Sequence, residues 1–317
     1  MTPRLRHRFE YALLRLTVAI LRLVPFDVAR RIGEGLGTLG WRLGIRRQVV
    51  DAQVAAAFPE FDRERHAAIA RGSYANLGRV AIELALLPHL GRKAFDSLFE
   101  PESDLHVVQA LLAGEGRLIA CSGHVGNWEL TGAFLSMHGI PVDAVARHMA
   151  NPLLDGYLLR TRSRTGMRVL FDTDSVSHLI RGIKEGRVAG LLADQGVLGL
   201  ASTYVPFFGR PARTPRGPAV LALRLETPVV FCAAVRQPGG KYRFLAREIA
   251  VAQTGDREAD VEATVVAFTR ALEELVRQYP DQYFWQHRRW KRQPADTPPA
   301  LRDPVALATT TSTPDDR

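Results

Sequence analysis

The stretch that decides the fold runs from Gly116 to Thr131 and reads GRLIACSGHVGNWELT. Its first half contains a short apolar run between glycines, LIAC, which predicts a buried strand. Glycines then interrupt the pattern, and Asn127 is a favourable N-cap for a helix that continues through Phe134. The sequence therefore predicts a strand, a tight turn and a helix, with the turn at the carboxyl end of the strand.

His124 lies in this predicted turn, and Glu129 lies in the first turn of the helix that follows. In open α/β sheets, ligands bind at the carboxyl ends of the strands. A carboxylate a few residues past a loop histidine can fold back on the imidazole, hold one ring nitrogen and leave the other free as a base. On spacing alone, a loop histidine followed by a glutamate that the helix dipole favours is the simpler interpretation. The glycines of the turn let backbone N–H groups approach an anion or an oxyanion closely.

Composition limits the class of protein and its partners. The chain has 317 residues, 46% of them hydrophobic and 24% charged, which is typical of a globular protein. Its formal net charge of +9 favours an anionic partner, such as an anionic membrane surface or an acidic carrier protein. Nucleic acid is not expected as a partner, because no zinc-finger spacing, RNP-like motif or basic low-complexity arm occurs.

Neither the cysteines nor the histidines indicate a metal or a cofactor. Cys121 and Cys232 lie in apolar runs, which predicts two buried thiols in a reducing compartment and no disulfide. A nucleophilic pair of Cys121 with His124 is disfavoured, because burial in a strand already accounts for this cysteine. The nine histidines have no metal-ligand spacing, and the motifs of serine hydrolases, P-loop enzymes and zinc proteases are missing. We therefore expect neither a metal nor a cofactor.

Residues 1–25 are predicted to form a membrane-associated helix. On a helical wheel, arginines share one narrow stripe and the remaining surface is mostly Leu, Val, Ile and Ala; the stripe contains Arg4, Arg8, Arg15 and Arg22. An arginine near the centre of a bilayer costs about 2.5–3.5 kcal/mol, which favours a helix lying in the membrane interface with its arginines toward lipid phosphates. Two alternatives stay open: a span with snorkelling arginines, and a core helix with a charged edge.

Strand-like and helical segments alternate through the middle of the chain. Six apolar runs have the length of strands: 118–121, 140–146, 167–171, 188–193, 229–235 and 242–249. Helical patterns separate most of them, which predicts an α/β fold: a mostly parallel central sheet with right-handed crossovers, flanked by helices. The last two runs are joined by a short Gly-rich turn and are expected to pair antiparallel. We expect a single domain over residues 26–293 and a disordered tail over residues 294–317, where Pro, Thr, Ala and Asp dominate.

Further polar residues are expected where strands end or helices begin. They are Arg147, Asn151, Asp194, Gln195, Arg213 and Arg216. An arginine at a strand end can donate to a developing oxyanion or to a substrate phosphate, although an exposed arginine before a helix cap is equally consistent. Thr214 is predicted to cap a helix that carries Pro215 in its first turn, and this N-terminus is a candidate anion site. The alternative is a capped helix with solvated arginines.

Several blocks of the chain resemble one enzyme family. The block His124-Val-Gly-Asn-Trp-Glu129 resembles the His-x4-Asp/Glu motif of the lysophospholipid acyltransferase superfamily, and more narrowly that of the bacterial lipid A biosynthesis acyltransferases (lauroyl and myristoyl transferases) and of their relatives that acylate phosphatidylinositol mannosides. Four further blocks resemble this family in the family's order: Arg147 to Pro152, Asp194-Gln195, Tyr204 to Gly217, and Trp285 to Trp290. Gln53 stands where the family commonly has Asn.

The resemblance implies transfer of a fatty acyl chain from an acyl thioester, of acyl carrier protein or CoA, to a hydroxyl of a glycolipid, most often a lipid A precursor. It implies His124 as general base and Glu129 as the acid that fixes its tautomer. The implied oxyanion or substrate-binding residues are Arg147, Asn151, Asp194, Gln195, Arg213 and Arg216. The implied location is the cytoplasmic face of the inner membrane, as a peripheral protein or with a single N-terminal anchor. Acylation of a phosphatidylinositol mannoside or another polar lipid stays open, as does a catalytically inactive lipid-binding protein.

Overall fold

The computed structural model describes residues 4–171, 176–196 and 201–311. The helices, in chain order, are α1 Leu5–Leu21, α2 Phe26–Arg42, α3 Arg47–Ala57, α4 Arg63–Leu86, α5 Arg92–Asp96, α6 Leu105–Glu115, α7 Trp128–Met137, α8 Pro152–Arg164, α9 Val176–Lys184, α10 Gly217–Leu225, α11 Arg257–Gln278 and α12 Pro304–Thr311. The strands are β1 Leu118–Ser122, β2 Val142–Ala146, β3 Arg168–Phe171, β4 Val188–Leu192, β5 Ser202–Phe207, β6 Arg210–Pro215, β7 Val229–Arg236 and β8 Tyr242–Ile249.

Six of these strands form the central sheet, in the order β3-β2-β4-β1-β7-β8. All neighbours in it are parallel except β7 and β8, which pair antiparallel. Apolar side chains on both faces of the sheet pack against the helices and form the core. The predicted α/β domain with a mostly parallel sheet is confirmed, and the strand that precedes the His124 turn lies in the interior of the sheet.

A separate hairpin of β5 and β6 was not predicted from the sequence. Its tight turn places Phe208 and Gly209 at positive φ, and Ser202 pairs with Pro215 at the open end. The prediction that Thr214 caps a helix with Pro215 in its first turn is wrong, because both residues end β6. Proline is tolerated at a strand end, where its missing N–H costs little. Arg216 is instead the N-cap of α10, whose first turn contains Pro218.

The N-terminal helices lie against α4 and leave apolar surface uncovered. The close crossing of α2 over α4 depends on glycine, since a Cβ on Gly37 would overlap the carbonyl oxygen of Tyr74. Both helices expose large apolar side chains at helical spacing: Leu5, Phe9, Leu13, Leu16, Ile20 and Leu23 in or just after α1, and Val28, Ile32, Leu36, Leu39 and Leu43 in or just after α2. No helix in the described part of the chain is both long and apolar enough to cross a membrane.

The segment after Pro294 is ordered as far as the structure describes it, so the prediction of a disordered tail over 294–317 is wrong up to Thr311. Helix α12 packs against α3. Arg288 Nε donates to an Asp303 carboxylate oxygen at 2.6 Å, and Arg210 donates to two main-chain carbonyls of this segment. Composition could not reveal that this segment is held in place, because the arginines that bind it, Arg210 and Arg288, lie outside it in the sequence. Residues 312–317 lie outside the described residues.

Candidate active site

His124 and Asp194 meet because two neighbouring strands end at the same level. In the parallel pair of β1 and β4, Ser122 is in register with Leu192, and each of the two site residues follows two positions later. Nδ1 of His124 lies 2.7 Å from Oδ1 of Asp194, and the main-chain N–H of His124 donates to Oδ2 at 3.0 Å. The carboxylate therefore fixes both the backbone and the ring of the histidine at the carboxyl edge of the sheet.

Glu129 does not make the predicted contact with His124. Its carboxylate instead accepts two hydrogen bonds from Arg162 of α8, from Nη2 at 2.7 Å and from Nε at 3.0 Å. The position that local spacing suggested for Glu129 is occupied by Asp194, which arrives from the adjacent strand. Glu129 remains close enough for its charge to contribute to raising the pKa of His124.

Electrostatics set the protonation of the pair. Burial alone would lower the pKa of His124, but the charge and hydrogen bond of Asp194 outweigh burial and raise the pKa above 6.5. Burial would raise the pKa of Asp194, but the charge and hydrogen bonds of His124, with the more distant charge of Arg289, lower it to about 2. Asp194 is thus a carboxylate that accepts from Nδ1–H, which leaves Nε2 as the basic nitrogen. The Gln195 amide nitrogen lies 3.1 Å from the same Nδ1.

The turn that carries His124 is held from several sides. Gly126 has a φ of 62°, and a Cβ there would overlap the carbonyl oxygen of Ala234. The side chain of Asn127 caps α7 by accepting from the N–H groups of Glu129 and Leu130, each at 3.1 Å. The main-chain carbonyl of His124 accepts from Phe284 N–H at 2.9 Å. These contacts give the imidazole a fixed platform.

A buried carboxylate, Glu83 of α4, orders the cap. It accepts from the Asn127 amide at 2.7 Å, from the Tyr242 hydroxyl at 2.5 Å and from Arg236 at 3.0 Å. Its amide hydrogen bond orients Asn127, so that the amide oxygen faces the first turn of α7. No sequence pattern indicates this role, because Glu83 is one of several charged residues in a long helix.

An apolar cavity of about 80 Å³ lies between α7, α8 and the sheet, next to His124. Trp128 and Glu129 line its inner end, and the ring of Trp128 lies 5.0 Å from that of His124 between centroids. Much of the remaining lining is apolar or small, including Ala120, Gly132, Leu135, Val142, Ala144, Met167 and Gly190. Cys121 also lines it, but burial raises the pKa of this thiol to about 12, so the thiol stays protonated and is a poor nucleophile.

A basic pocket of about 240 Å³ lies on another side of the histidine and begins at Gln195. It is lined by Arg147, Gln195, Gly196, Arg213, His287, Arg288, Arg289, Lys291 and Arg292. Arg289 is only 4% exposed. It donates to the Arg213 carbonyl and the Thr214 hydroxyl, each at 2.7 Å, while its Nε has no hydrogen-bond partner among the described residues. A guanidinium buried against neutral groups favours an anion in the pocket.

His287 separates the basic pocket from an apolar groove. The groove has a volume of about 590 Å³ and runs between α2 and α4 to Phe284, whose ring centroid lies 5.9 Å from that of His124. Burial lowers the pKa of His287 to about 4, so this imidazole is neutral. Gln53 fixes the segment by donating to the carbonyls of Trp285 and His287 at 2.7 and 2.8 Å.

Two of the predicted site residues lie elsewhere. Asn151 caps α8, and its amide donates to the His7 carbonyl and to Glu10 of α1, so its side chain joins two helices. Arg216 pairs with Glu258 at 2.5 Å and does not line the basic pocket. The predicted anion site at a helix N-terminus is therefore not formed. Asp194 and Gln195 contact His124, whereas Arg147 and Arg213 line the basic pocket that begins at Gln195.

Metal chemistry receives no support from the donor groups present. Within residues 4–171, 176–196 and 201–311, no group of three or more His, Cys, Asp or Glu side chains could hold a metal ion. Arg162 and Arg289, like Glu83, belong to the site and were missed by sequence reasoning. A signal existed for Arg289, which lies in the aromatic and basic segment near the end of the domain, whereas Arg162 is one of several arginines in α8.

Known proteins that are similar to this chain share one kind of activity. The model of a family described as "Bacterial lipid A biosynthesis acyltransferase" matches residues 2–292. The chain is 27% identical over 297 residues to a lipid A biosynthesis lauroyltransferase of Escherichia coli (strain K12), covering 91% of this chain and 94% of that protein. It is 21% identical over 275 residues to a lipid A biosynthesis palmitoleoyltransferase of the same organism, covering 86% and 87%. It is 32% identical over 155 residues to a phosphatidylinositol mannoside acyltransferase of Mycolicibacterium smegmatis, covering 48% and 49%.

Proposed function

Because the chain belongs to the bacterial lipid A biosynthesis acyltransferase family, we propose that it moves a fatty acyl chain from an acyl thioester to a hydroxyl of a glycolipid acceptor, most simply a lipid A precursor. The observation that carries the mechanism is the imidazole of His124, which Asp194 holds at Nδ1 between an apolar cavity and a basic pocket. Trp128 connects the imidazole to the apolar cavity and Gln195 connects it to the basic pocket, so this arrangement offers a base with an apolar site and an anion site nearby.

In the proposed reaction, Nε2 of His124 takes the proton of the acceptor hydroxyl while the hydroxyl oxygen attacks the thioester carbonyl carbon. The C–S bond then breaks, the thiolate leaves with the bonding electron pair, and the new ester stays on the acceptor. The proton on His124 passes to the thiolate or to solvent. Asp194 stabilises the imidazolium that forms on the way, and such base catalysis is worth about 10²–10⁴-fold in rate.

The oxyanion needs donors at the carboxyl edge of the sheet. Arg147 directly follows β2 at this edge and lines the basic pocket. The main-chain N–H groups of His124, Val125, Gly126 and Asn127 each already donate to an acceptor within the protein. We assign the stabilisation of the developing negative charge to Arg147. Glu129 acts through its charge on His124 and through its pair with Arg162, and it is not the group that fixes the tautomer.

The two cavities suggest where each substrate lies. The apolar cavity, at about 80 Å³, suits only a short part of the acyl chain, and Trp128, which lines it, lies beside the catalytic imidazole. The basic pocket suits a phosphate of the acceptor or of the donor's pantetheine arm, because Arg289 is buried there and makes no ion pair among the described residues. A phosphate would offset the cost of that burial by charge-assisted hydrogen bonds.

The donor and the location follow from charge and from exposed apolar surface. An acidic acyl carrier protein, or CoA, is attracted by a chain of net charge +9. The apolar stripes on α1 and α2 suit a peripheral position on a membrane, which we place at the cytoplasmic face of the inner membrane.

A second acceptor class, phosphatidylinositol mannosides or similar polar lipids, is favoured by the 32% identity over 155 residues to an enzyme of that name.

The test measures thiol release from carrier-protein and CoA thioesters with a panel of lipid acceptors. We expect acceptor-dependent release by the wild-type protein, and a loss of at least about 10²-fold in His124→Ala. His106→Ala, at an exposed histidine of α6, is the matched control and should retain full activity. The acceptor that supports release identifies the substrate class. Absence of release with every acceptor would favour the lipid-binding alternative, and full activity of His124→Ala would refute the catalytic assignment.

A further inference from the structure

A second basic pocket, of about 170 Å³, lies between α1, α8 and the short 3₁₀ turn Leu87–His89. Two arginines of α1, Arg15 and Arg22, face two arginines of α8, Arg160 and Arg164, across it. Helix α8 separates this pocket from the catalytic centre, because Arg162, between the two arginines of α8, turns to the other side and pairs with Glu129. The pocket is therefore distinct from the one that begins at Gln195.

The charge in this pocket is one-sided. None of the residues that line it is Asp or Glu, and none of its four arginines makes an ion pair among the described residues. The side chains of Arg15 and Arg160 both donate to one neutral group, the hydroxyl of Tyr11, at 3.3 and 3.5 Å. Four guanidinium groups around one small cavity repel each other unless an anion enters.

The pKa of His89, which also lines this pocket, reflects the positive electrostatic potential of the arginines. Its pKa is lowered first by partial burial and then by the charges of Arg22, Arg164 and Arg15. No carboxylate contributes a compensating effect to this group. The geometry of the cavity and the direction of this shift both indicate a site that prefers an anion.

The position of the pocket on α1 selects the kind of anion. Helix α1 has three faces: a buried face with Val18 and Leu21, an edge of arginines, and an exposed apolar stripe. At 100° per residue, the centre of the stripe lies about a third of a turn around the helix from the arginine edge. Leu16 and Ile20 of the stripe are 59% and 55% exposed. A ligand in the pocket thus carries its charge to the arginines and meets apolar surface beside them.

We propose that this pocket binds the phosphate of an anionic phospholipid, and that the bound headgroup seats α1 and α8 on the membrane surface. The inference rests on the membrane association proposed above. A phosphate with acyl chains matches both parts of the surface, since its charge pairs with the arginines and its chains enter the bilayer beside the stripe. A free phosphate would leave the apolar stripe in water.

The first experiment is co-sedimentation of the full chain with vesicles of phosphatidylcholine, with and without phosphatidylglycerol. The test variant is Arg160→Gln/Arg164→Gln, and Arg15→Gln/Arg22→Gln reaches the same pocket from α1. The matched control is Arg257→Gln/Arg270→Gln, which removes the same charge from exposed positions on α11. We expect each pocket variant to lose about thirtyfold in affinity for the anionic vesicles, and the control to lose less than about threefold. Equal losses in pocket and control variants would overturn the proposal, because net charge alone would then explain binding.

The second experiment separates the pocket from bilayer docking. Dihexanoyl phosphatidylglycerol, dihexanoyl phosphatidylcholine and inorganic phosphate are each added below the micellar concentration of the lipids, and the melting temperature is measured. We expect stabilisation by the anionic lipid alone, and its loss in Arg160→Gln/Arg164→Gln. If the wild type binds no vesicles but keeps this lipid-specific shift, the pocket stands and the membrane association fails. An equal shift with inorganic phosphate, or no shift with any probe, would overturn the phospholipid assignment.

Discussion

His124 owes its properties to a carboxylate that reaches it from the neighbouring strand. The side chain of Asp194 is only 2% exposed. Its carboxylate makes two hydrogen bonds to His124, one with the ring and one with the main-chain N–H. A buried carboxylate so placed orients the imidazole and stabilises its protonated form. The next residue, Gln195, lies at the mouth of the basic pocket, so one short segment after β4 serves both the base and the anion site.

The first prediction concerns the pH dependence of Asp194→Asn. His124 must be neutral to act as a base, so wild-type activity should fall as pH drops through its pKa, which Asp194 raises above 6.5. Without the carboxylate charge, burial lowers this pKa, so the acidic limb should move to lower pH. The plateau of kcat should fall by about 10²–10⁴-fold, because the imidazolium loses its counter-charge. The measurement is kcat/KM across roughly pH 5 to 9. An acidic limb that stays in place or moves up would contradict the assignment.

The second prediction distinguishes the two carboxylates. The side chains of Glu129 and Arg162 are 9% and 19% exposed, so breaking their pair leaves a largely buried charge. We expect Glu129→Gln to lower the free energy of unfolding by about 3 kcal/mol in urea titrations. Replacing Arg162 by Met in the same chain should recover part of the loss. The decrease in kcat should be smaller than in Asp194→Asn. Unchanged stability with a larger loss of kcat would make Glu129 the carboxylate that acts on His124.

Sequence reasoning found the histidine but not its partner, for a topological reason. Glu129 is local, so spacing could suggest it, whereas Asp194 lies 70 positions away and meets His124 only because β1 and β4 are neighbours. Strand order is not readable from hydrophobic pattern. The sequence identified Asp194 only as a residue at the end of a strand. The register of β1 and β4 shows that it lies beside His124.

Among the elements, the turn between β1 and α7 is the most constrained. Its conformation is fixed by Gly126, whose φ of 62° and close approach to Ala234 exclude a side chain, and by the Asn127 cap. The same turn supplies the catalytic imidazole, and its N–H groups from His124 to Asn127 donate within the protein and hold the turn in place. Any change in its backbone therefore moves the base.

The third prediction compares two glycines at positive φ. Gly126→Ala adds a methyl group that overlaps a carbonyl oxygen, whereas Gly139→Ala, at a φ of 83°, meets open space. We expect Gly139→Ala to cost about 1–2 kcal/mol from backbone strain alone, with kcat unchanged. Gly126→Ala should cost clearly more and should lower kcat as well. Thermal unfolding and steady-state kinetics on both variants provide the comparison, and equal effects would mean that the turn tolerates a shift.

Secondary structure was predicted correctly where the local hydrophobic pattern matches burial. It was missed where contacts between distant residues determine the conformation. The interior strands β1 and β7 consist almost entirely of apolar residues and are almost completely buried. The hairpin of β5 and β6 was missed because its turn uses Phe208 at positive φ, which lacks the usual Asn-Gly signal. The ordered segment after Pro294 was missed because its anchors, Arg210 and Arg288, lie in other parts of the chain.

Across the protein as a whole, charge and apolar surface are separated. The basic pocket lies on one side of His124, the apolar cavity lies on another, and the uncovered apolar stripes belong to the N-terminal helices. An amphiphilic acceptor can then lie with its chains toward the bilayer and its anionic groups toward the arginines. The formal net charge of +9, calculated with neutral histidines, acts at longer range and attracts an anionic donor to the protein.

The fourth prediction concerns that approach. If the donor is an acyl carrier protein, attraction between the acidic carrier and the basic chain should raise the association rate at low salt, by about 10-fold or more. Screening lengths shrink from about 10 Å at 0.1 M salt to about 3 Å at 1 M. We therefore expect kcat/KM for the carrier-protein thioester to fall at least about tenfold over this range, with kcat unchanged.

An acyl-N-acetylcysteamine thioester, which is neutral, is the matched donor for this experiment. It carries the same acyl group and thioester but no charge to be steered, so its kcat/KM should change less than about threefold with salt. For a CoA thioester, the change in kcat/KM with salt should lie between those of the other two donors, since its charge is carried by a few phosphates and not by a protein surface. If the neutral donor loses as much as the carrier protein, salt acts on the enzyme or on the acceptor. Steering by net charge would then be rejected, while the assignment of His124 and Asp194 would be unaffected.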